Sequence, residues 1–164
     1  MSTAPQITER AEQPYVALKA QVTMQNISAI ADRIPEVFGW LAAHGVTPAG
    51  APFLKYNVID MARQLEIEAG VPVAAAVDGD ASVLPCVLPA GRYATMIYAG
   101  HPAKLVDATA ELLAWASREG LAFDVAETDD GERWGARLEI YFTDPGQEPD
   151  MDKWETQLAF RLAD

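Results

Sequence analysis

The chain holds a single cysteine, Cys86, and two histidines, His44 and His101, among 164 residues. One thiol permits no intrachain disulfide, and so few soft or imidazole ligands form no spaced metal cluster. The fold must therefore rest on its apolar core; neither metal nor cofactor is expected, and a reducing, cytoplasmic setting fits. Basic residues are scarce as well. Twelve Lys and Arg stand against 24 Asp and Glu, a formal net charge of −12. Non-specific nucleic-acid binding draws on clustered cations that release phosphate counterions, and here they are scattered singly, so no direct nucleic-acid contact is expected. No apolar run approaches the ~20 residues that span a bilayer, and the polar start of the chain lacks the apolar stretch of a secretory signal. No membrane association is expected, and nothing in the pattern fixes an oligomeric state.

What is present is globular. Hydrophobic residues make up 50% and charged residues 22% of the chain, enough to bury a core at this length. We expect a flexible segment over residues 1–13 and a single domain over 14–164. Within it, Tyr15–Met24 reads as a strand from its β-branched and apolar content. Ile30, Ile34, Val37 and Leu41 recur at helical spacing, with Gly45 as a C-cap. Pro35 suits only a first turn, so the helix should begin near Arg33 or Pro35, leaving Ile27–Ala31 as a separate turn. Phe53–Ile59 and Gln64–Val73 read as a hairpin, and Ser82–Leu88 and Gly91–Ala99 as further strands. A second helix is expected over Ala103–Glu119, opened by Pro102 and closed by Gly120. The acidic stretches 127–132 and 144–150 read as solvated loops, and Ala136–Thr143 and Trp154–Leu162 as closing strands.

Both halves, about 14–73 and 82–162, thus read strand, helix, strand, strand. Tyr15, Trp40 and Gly45 in the first answer Tyr93, Trp115 and Gly120 in the second. This points to an α+β fold of two duplicated βαββ halves about a pseudo-twofold axis, with antiparallel sheets and helices on one outer face. In Arg137–Phe142, alternation separates Leu138, Ile140 and Phe142 from Arg137, Glu139 and Tyr141. The helices should cover the aliphatic set and leave Glu139 and Tyr141 facing a cleft on the other side. A carboxylate beside aromatic rings in a concave apolar site holds organic cations through charge and π faces together. On alternation alone, Glu139 and Arg137 equally read as a solvated surface pair worth about 0–1 kcal/mol. Trp40 and Trp115 read as packing residues, His44 and His101 as local helix-end structure, and Cys86 as a buried thiol.

Several segments taken together resemble the GyrI-like, AraC-type effector-binding family: Gly50-Ala51-Pro52-Phe53 leading to Tyr56, the strand Glu66–Val73, Leu88–Ala94, Tyr98–Pro102, Leu138–Tyr141, Asp144-Pro145 and Trp154-Glu155-Thr156. The resemblance spans Pro14 to Leu162. It implies SHS2-like halves with a ligand cleft at their junction, anchored by a glutamate on a late strand, the position of Glu139. Tyr141 would share that cleft and Trp154 would close over the ligand. Phe53 and Tyr56 would form the opposing wall, Met96 and Tyr98 the floor. Glu155 would either brace backbone donors or enter the site.

The function so implied is binding of hydrophobic aromatic, often cationic or electrophilic, small molecules, as in multidrug binding or sequestration. Fewer than fifteen residues precede the first expected strand, so no helix-turn-helix is expected there, and the likeness is to stand-alone members. That leaves two alternatives. One is a hydrolase opening electrophilic cyclopropane rings of DNA-alkylating natural products, with Glu139 as acid or base and Tyr141 as donor. The other is a protein-binding inhibitor that uses the acidic surface.

Overall fold

The computed structural model describes residues 2–60 and 62–164. Ten strands join in one antiparallel sheet: β1 (Gln6–Arg10), β2 (Gln13–Val22), β3 (Phe53–Ile59), β4 (Leu65–Pro72), β5 (Leu84–Leu88), β6 (Gly91–Ala99), β7 (Val125–Thr128), β8 (Gly131–Trp134), β9 (Arg137–Tyr141) and β10 (Glu155–Arg161). The order is β1-β6-β10-β9-β3-β4-β2-β5, with the β7–β8 hairpin attached to β3. The class is α+β, a curled half-barrel with its helices on one face.

The helices are α1 (Ser28–Ala31), α2 (Ile34–Ala43) and α3 (Leu105–Arg118). Pro35 lies in the first turn of α2, where a missing N–H costs nothing. Both long helices end on a left-handed glycine: φ is +68° at Gly45 and +70° at Gly120. The residue after each donates back into its helix, Val46 to Leu41 and Leu121 to Ala116, both at 2.9 Å, the closure for which a residue without Cβ is suited. Val37 and Leu41 of α2 and Leu105, Ala108 and Leu112 of α3 are buried against sheet residues such as Leu18, Leu54, Ile67, Ala94 and Leu158. Since α2 packs on β4 and β2, and α3 on β6, the middle strands β3 and β9 run between the two helices.

The opposite face also has a core, without any helix. Tyr15, Phe53, Leu88, Tyr93, Leu138 and Ile140 form it, and the curl of the sheet brings these side chains together. The Tyr15 and Phe53 rings meet edge to face at 5.1 Å, over Gly70, where a Cβ would lie 2.7 Å from the Phe53 ring.

Three expectations are corrected here. Residues 6–10, assigned to a flexible lead, form β1, whose backbone bonds to β6 give it a partner along its whole length. The acidic stretch 127–132 is the tip of the β7–β8 hairpin, with Glu127 and Thr128 paired to Glu132 and Gly131. Leu138 and Ile140 belong to the helix-free core and Phe142 is exposed, so the helices do not cover that set; Glu139 and Tyr141 lie on the helix-bearing face.

A candidate ligand cleft between the two helices

On β9, Arg137, Glu139 and Tyr141 share the helix-bearing face by the period of two. Tyr56 on β3 joins them beside a register shift between Tyr56 and Val58, the sort of irregularity that re-aims a side chain. Tyr141 Oη donates to Glu139 Oε1 at 2.8 Å, and Tyr56 Oη donates to the same oxygen at 3.1 Å. Oε2 takes no hydrogen bond among the described residues, yet it is not among their sealed, partnerless polar atoms. It is therefore the oxygen left to face water or a ligand.

The carboxylate lies in apolar surroundings. Its cross-strand neighbours are Leu158 on β10 and Leu54 on β3, both buried. Burial raises the Glu139 pKa, a rise held back by the two phenol donors and by the Arg137 charge. The same burial, with the adjoining carboxylate, raises Tyr141 and Tyr56 well above an ordinary phenol, so both remain O–H donors at physiological pH. Arg137 stands at the other end of the row. Its guanidinium carbon lies 4.7 Å from the Trp134 ring centre and 4.7 Å from that of Phe160. The arrangement offers one oriented carboxylate, two fixed hydroxyls and a guanidinium laid on two buried aromatic rings.

Of the residues expected in the site, the structure brings together Glu139, Tyr141 and Tyr56. Phe53 is not a wall of this cleft: it is buried in the core on the opposite face, since it stands an odd number of residues from Tyr56. Met96 is 1% exposed and packed in the helix-side core, on the face of Glu139 and one strand beyond Leu158. Tyr98 is buried there too, its hydroxyl donating to the His101 carbonyl at 3.0 Å. Trp154 is half-buried, its indole N–H donating to the Glu148 carbonyl at 2.7 Å, which fixes the ring on the 144–150 loop. Glu155 is exposed.

Sequence reasoning missed a second polar group, on the helix-free face. Glu68, 6% exposed, accepts from Tyr15 Oη and from Asn57 Nδ2 at 2.5 Å. Lys55 Nζ lies 3.8 Å from it and donates to Asn57 Oδ1. Among the described residues, no three His, Cys, Asp or Glu side chains are grouped to hold a metal, and no helix is long and apolar enough to cross a membrane.

The model of the GyrI-like small molecule binding domain matches residues 3–163. The chain belongs to this family. No curated protein matches it in sequence, but solved structures share the fold of this GyrI-like domain. The EcmrR C-terminal domain superposes with a TM-score of 0.75 at 17% identity, over 98% of this chain and 97% of that one. EcmrR in its DNA complex gives 0.78 at 18% identity over 97% of this chain, which spans 57% of that longer protein. SAV2435 bound to tetraphenylphosphonium gives 0.66 at 14% identity, with 98% and 94% covered. A hydrolase from Listeria innocua gives 0.60 at 16% identity, with 97% and 91% covered.

Proposed function

We propose that this GyrI-like domain binds flat aromatic molecules carrying a positive or electron-poor centre, in the cleft between α2 and α3, with Glu139 as the polar anchor. The observation that carries the reading is the Glu139 carboxylate, set among Leu54 and Leu158, with Oε1 held by two tyrosine hydroxyls and Oε2 left open. In a site of low polarity one oriented charge is worth far more than in water, and the tyrosine rings add π faces for an organic cation. Tetraphenylphosphonium, the ligand of the SAV2435 structure, is a molecule of that class. The duplication of βαββ halves belongs to the same reading. It is supported by the strand order β6-β10-β9-β3-β4-β2 and by the matched glycine closures of α2 and α3.

A second reading, hydrolysis of an electrophilic ring, is favoured by the Glu139 carboxyl held beside two phenol donors, with burial moving its pKa upward, the direction a general acid needs. Titrating tetraphenylphosphonium into the parent and Glu139→Gln, followed by tryptophan fluorescence, tests the first reading. Binding should weaken by about ten-fold or more in the variant; equal binding would remove Glu139 as the anchor. Turnover of a cyclopropane-bearing aromatic by the parent, absent in Glu139→Gln, would establish the second.

A further inference from the structure

We propose that Arg137 is a second polar anchor of this cleft, so that its preferred ligands are aromatic zwitterions: a cationic centre set on Glu139 and a carboxylate set on Arg137. This rests on the reading of the cleft as a ligand site and adds the chemistry of the ligand.

The Arg137 guanidinium makes no hydrogen bond or ion pair with any described residue. What it touches are two ring faces, Trp134 and Phe160; Glu139, Tyr56 and Glu132 act on it only through their charges or dipoles. An arginine carries five donors in a rigid plane, and a half-buried one normally spends them on carboxylates or carbonyls. Here Glu139, the carboxylate on the same strand face, has Oε1 committed to Tyr56 and Tyr141. None of the Arg137 nitrogens is among the sealed, partnerless polar atoms, whereas the neighbouring Trp134 Nε1 is. The donors therefore reach solvent, from the strand face that also carries Glu139. The Trp134 and Phe160 rings, 5.9 Å apart and set at 62° to each other, form a corner against which the guanidinium rests, so part of its freedom is already lost before a planar anion docks on it.

The spacing sets the ligand. Arg137 and Glu139 are two residues apart on one strand face, which separates their Cα atoms by about 6.6 Å. A molecule whose positive and negative centres are a ring's width apart would satisfy both. A purely cationic ligand would satisfy Glu139 and meet the like charge of Arg137. The row Arg137, Glu139, Tyr141 thus favours a dipole along β9 over a lone cation.

Rhodamine B, zwitterionic at pH 7.5, and its cationic ethyl ester form a matched pair of probes for fluorescence anisotropy titration. The parent should bind the acid more tightly than the ester; a parent that prefers the ester overturns the proposal. In Arg137→Gln, binding of the acid should weaken by about ten-fold or more, as expected for a lost charge-assisted pair, while the ester binds as well or better. Equal loss for both dyes, or loss for neither, overturns it. If Arg137→Gln loses its cooperative melt, Arg137→Lys, which keeps the charge but not the planar fork, should retain the preference for the acid, and its reversal would overturn the assignment. Glu139→Gln separates the two levels. Should it bind both dyes like the parent, the anchoring reading of the cleft fails, whereas a loss in Glu139→Gln with no change in Arg137→Gln sinks only the role of Arg137.

Discussion

Tyr141 and Tyr56, from two different strands, donate to one and the same oxygen of Glu139, at 2.8 and 3.1 Å. The consequence is an asymmetric carboxylate, one oxygen satisfied from within and the other turned outward. Tyr141→Phe removes the shorter bond while keeping the ring. Each donor favours the ionised form, so the Glu139 titration followed by carbonyl NMR should move further upward. Affinity for tetraphenylphosphonium at pH 6 should then fall by up to about ten-fold, the worth of one hydrogen bond to a charged group, about 1.5 kcal/mol. Tyr56→Phe should act in the same direction, and the double variant should deviate from additivity because both hydroxyls share one acceptor.

The raised pKa of Glu139 predicts opposite pH dependences for stability and binding. A carboxyl that holds its proton more tightly folded than unfolded lends stability below its unfolded pKa. That stability is lost as pH rises through the folded value. The parent should therefore lose stability relative to Glu139→Gln as pH rises across that window, measured by urea denaturation at a series of pH values. Cation binding requires the ionised form, so affinity should rise through the same window. Parallel trends in the two measurements would contradict the assignment.

How much of this was legible beforehand follows from what each signal measures. Alternation along β9 separated Leu138 and Ile140 from Glu139 and Tyr141 correctly, and the helices announced themselves by spacing, Pro35, Pro102 and the glycines at 45 and 120. Alternation does not say which face the helices cover. It misled because the curl buries Leu138 and Ile140 with no helix above them, so an aliphatic set no longer marks the helix side. Phe53 entered the expected site through the family resemblance, beside Tyr56, although a separation of three residues puts the two on opposite faces of β3. The β7–β8 hairpin was hidden because β7 is exposed throughout and shows no apolar period; its one signal was Asp130-Gly131, a turn pair, with Gly131 at φ +123°. Arg137 read as the surface partner of Glu139, and only the packing of Trp134 and Phe160 against it reveals otherwise.

Glu68 supplies a control on the other side of the sheet. It holds Tyr15, Asn57 and Lys55 together in a buried cluster, so Glu68→Leu leaves the Lys55 ammonium buried without its counter-charge. Breaking a buried pair from one side costs about 3–5 kcal/mol, and chemical denaturation should show a loss of that order. The Lys55→Met/Glu68→Leu double variant, which removes both charges, should recover much of it. In that variant tetraphenylphosphonium affinity should stay within about two-fold of the parent, since the cluster faces away from Glu139.

Gly70 tests the helix-free core by volume alone. A Cβ there would lie 2.7 Å from Phe53 Cε2 and Cζ and 3.0 Å from Tyr15 Cδ2, closer than carbon atoms approach in packed interiors. Both rings are nearly inaccessible and locked edge to face, and Tyr15 is further held by its hydrogen bond to Glu68, so neither can turn aside without disturbing the other. Overpacking of this kind costs about 1–3 kcal/mol, and Gly70→Ala should lower stability by that amount in urea titration. In Phe53→Leu/Gly70→Ala the smaller side chain clears the space the new methyl needs, so the double variant should be more stable than the sum of the two single losses implies. A Gly70→Ala protein as stable as the parent would mean that the Tyr15 and Phe53 rings are free to move. Ligand affinity should be unchanged in every one of these variants, because Phe53 and Gly70 pack on the face of the sheet opposite Tyr56, Glu139 and Tyr141.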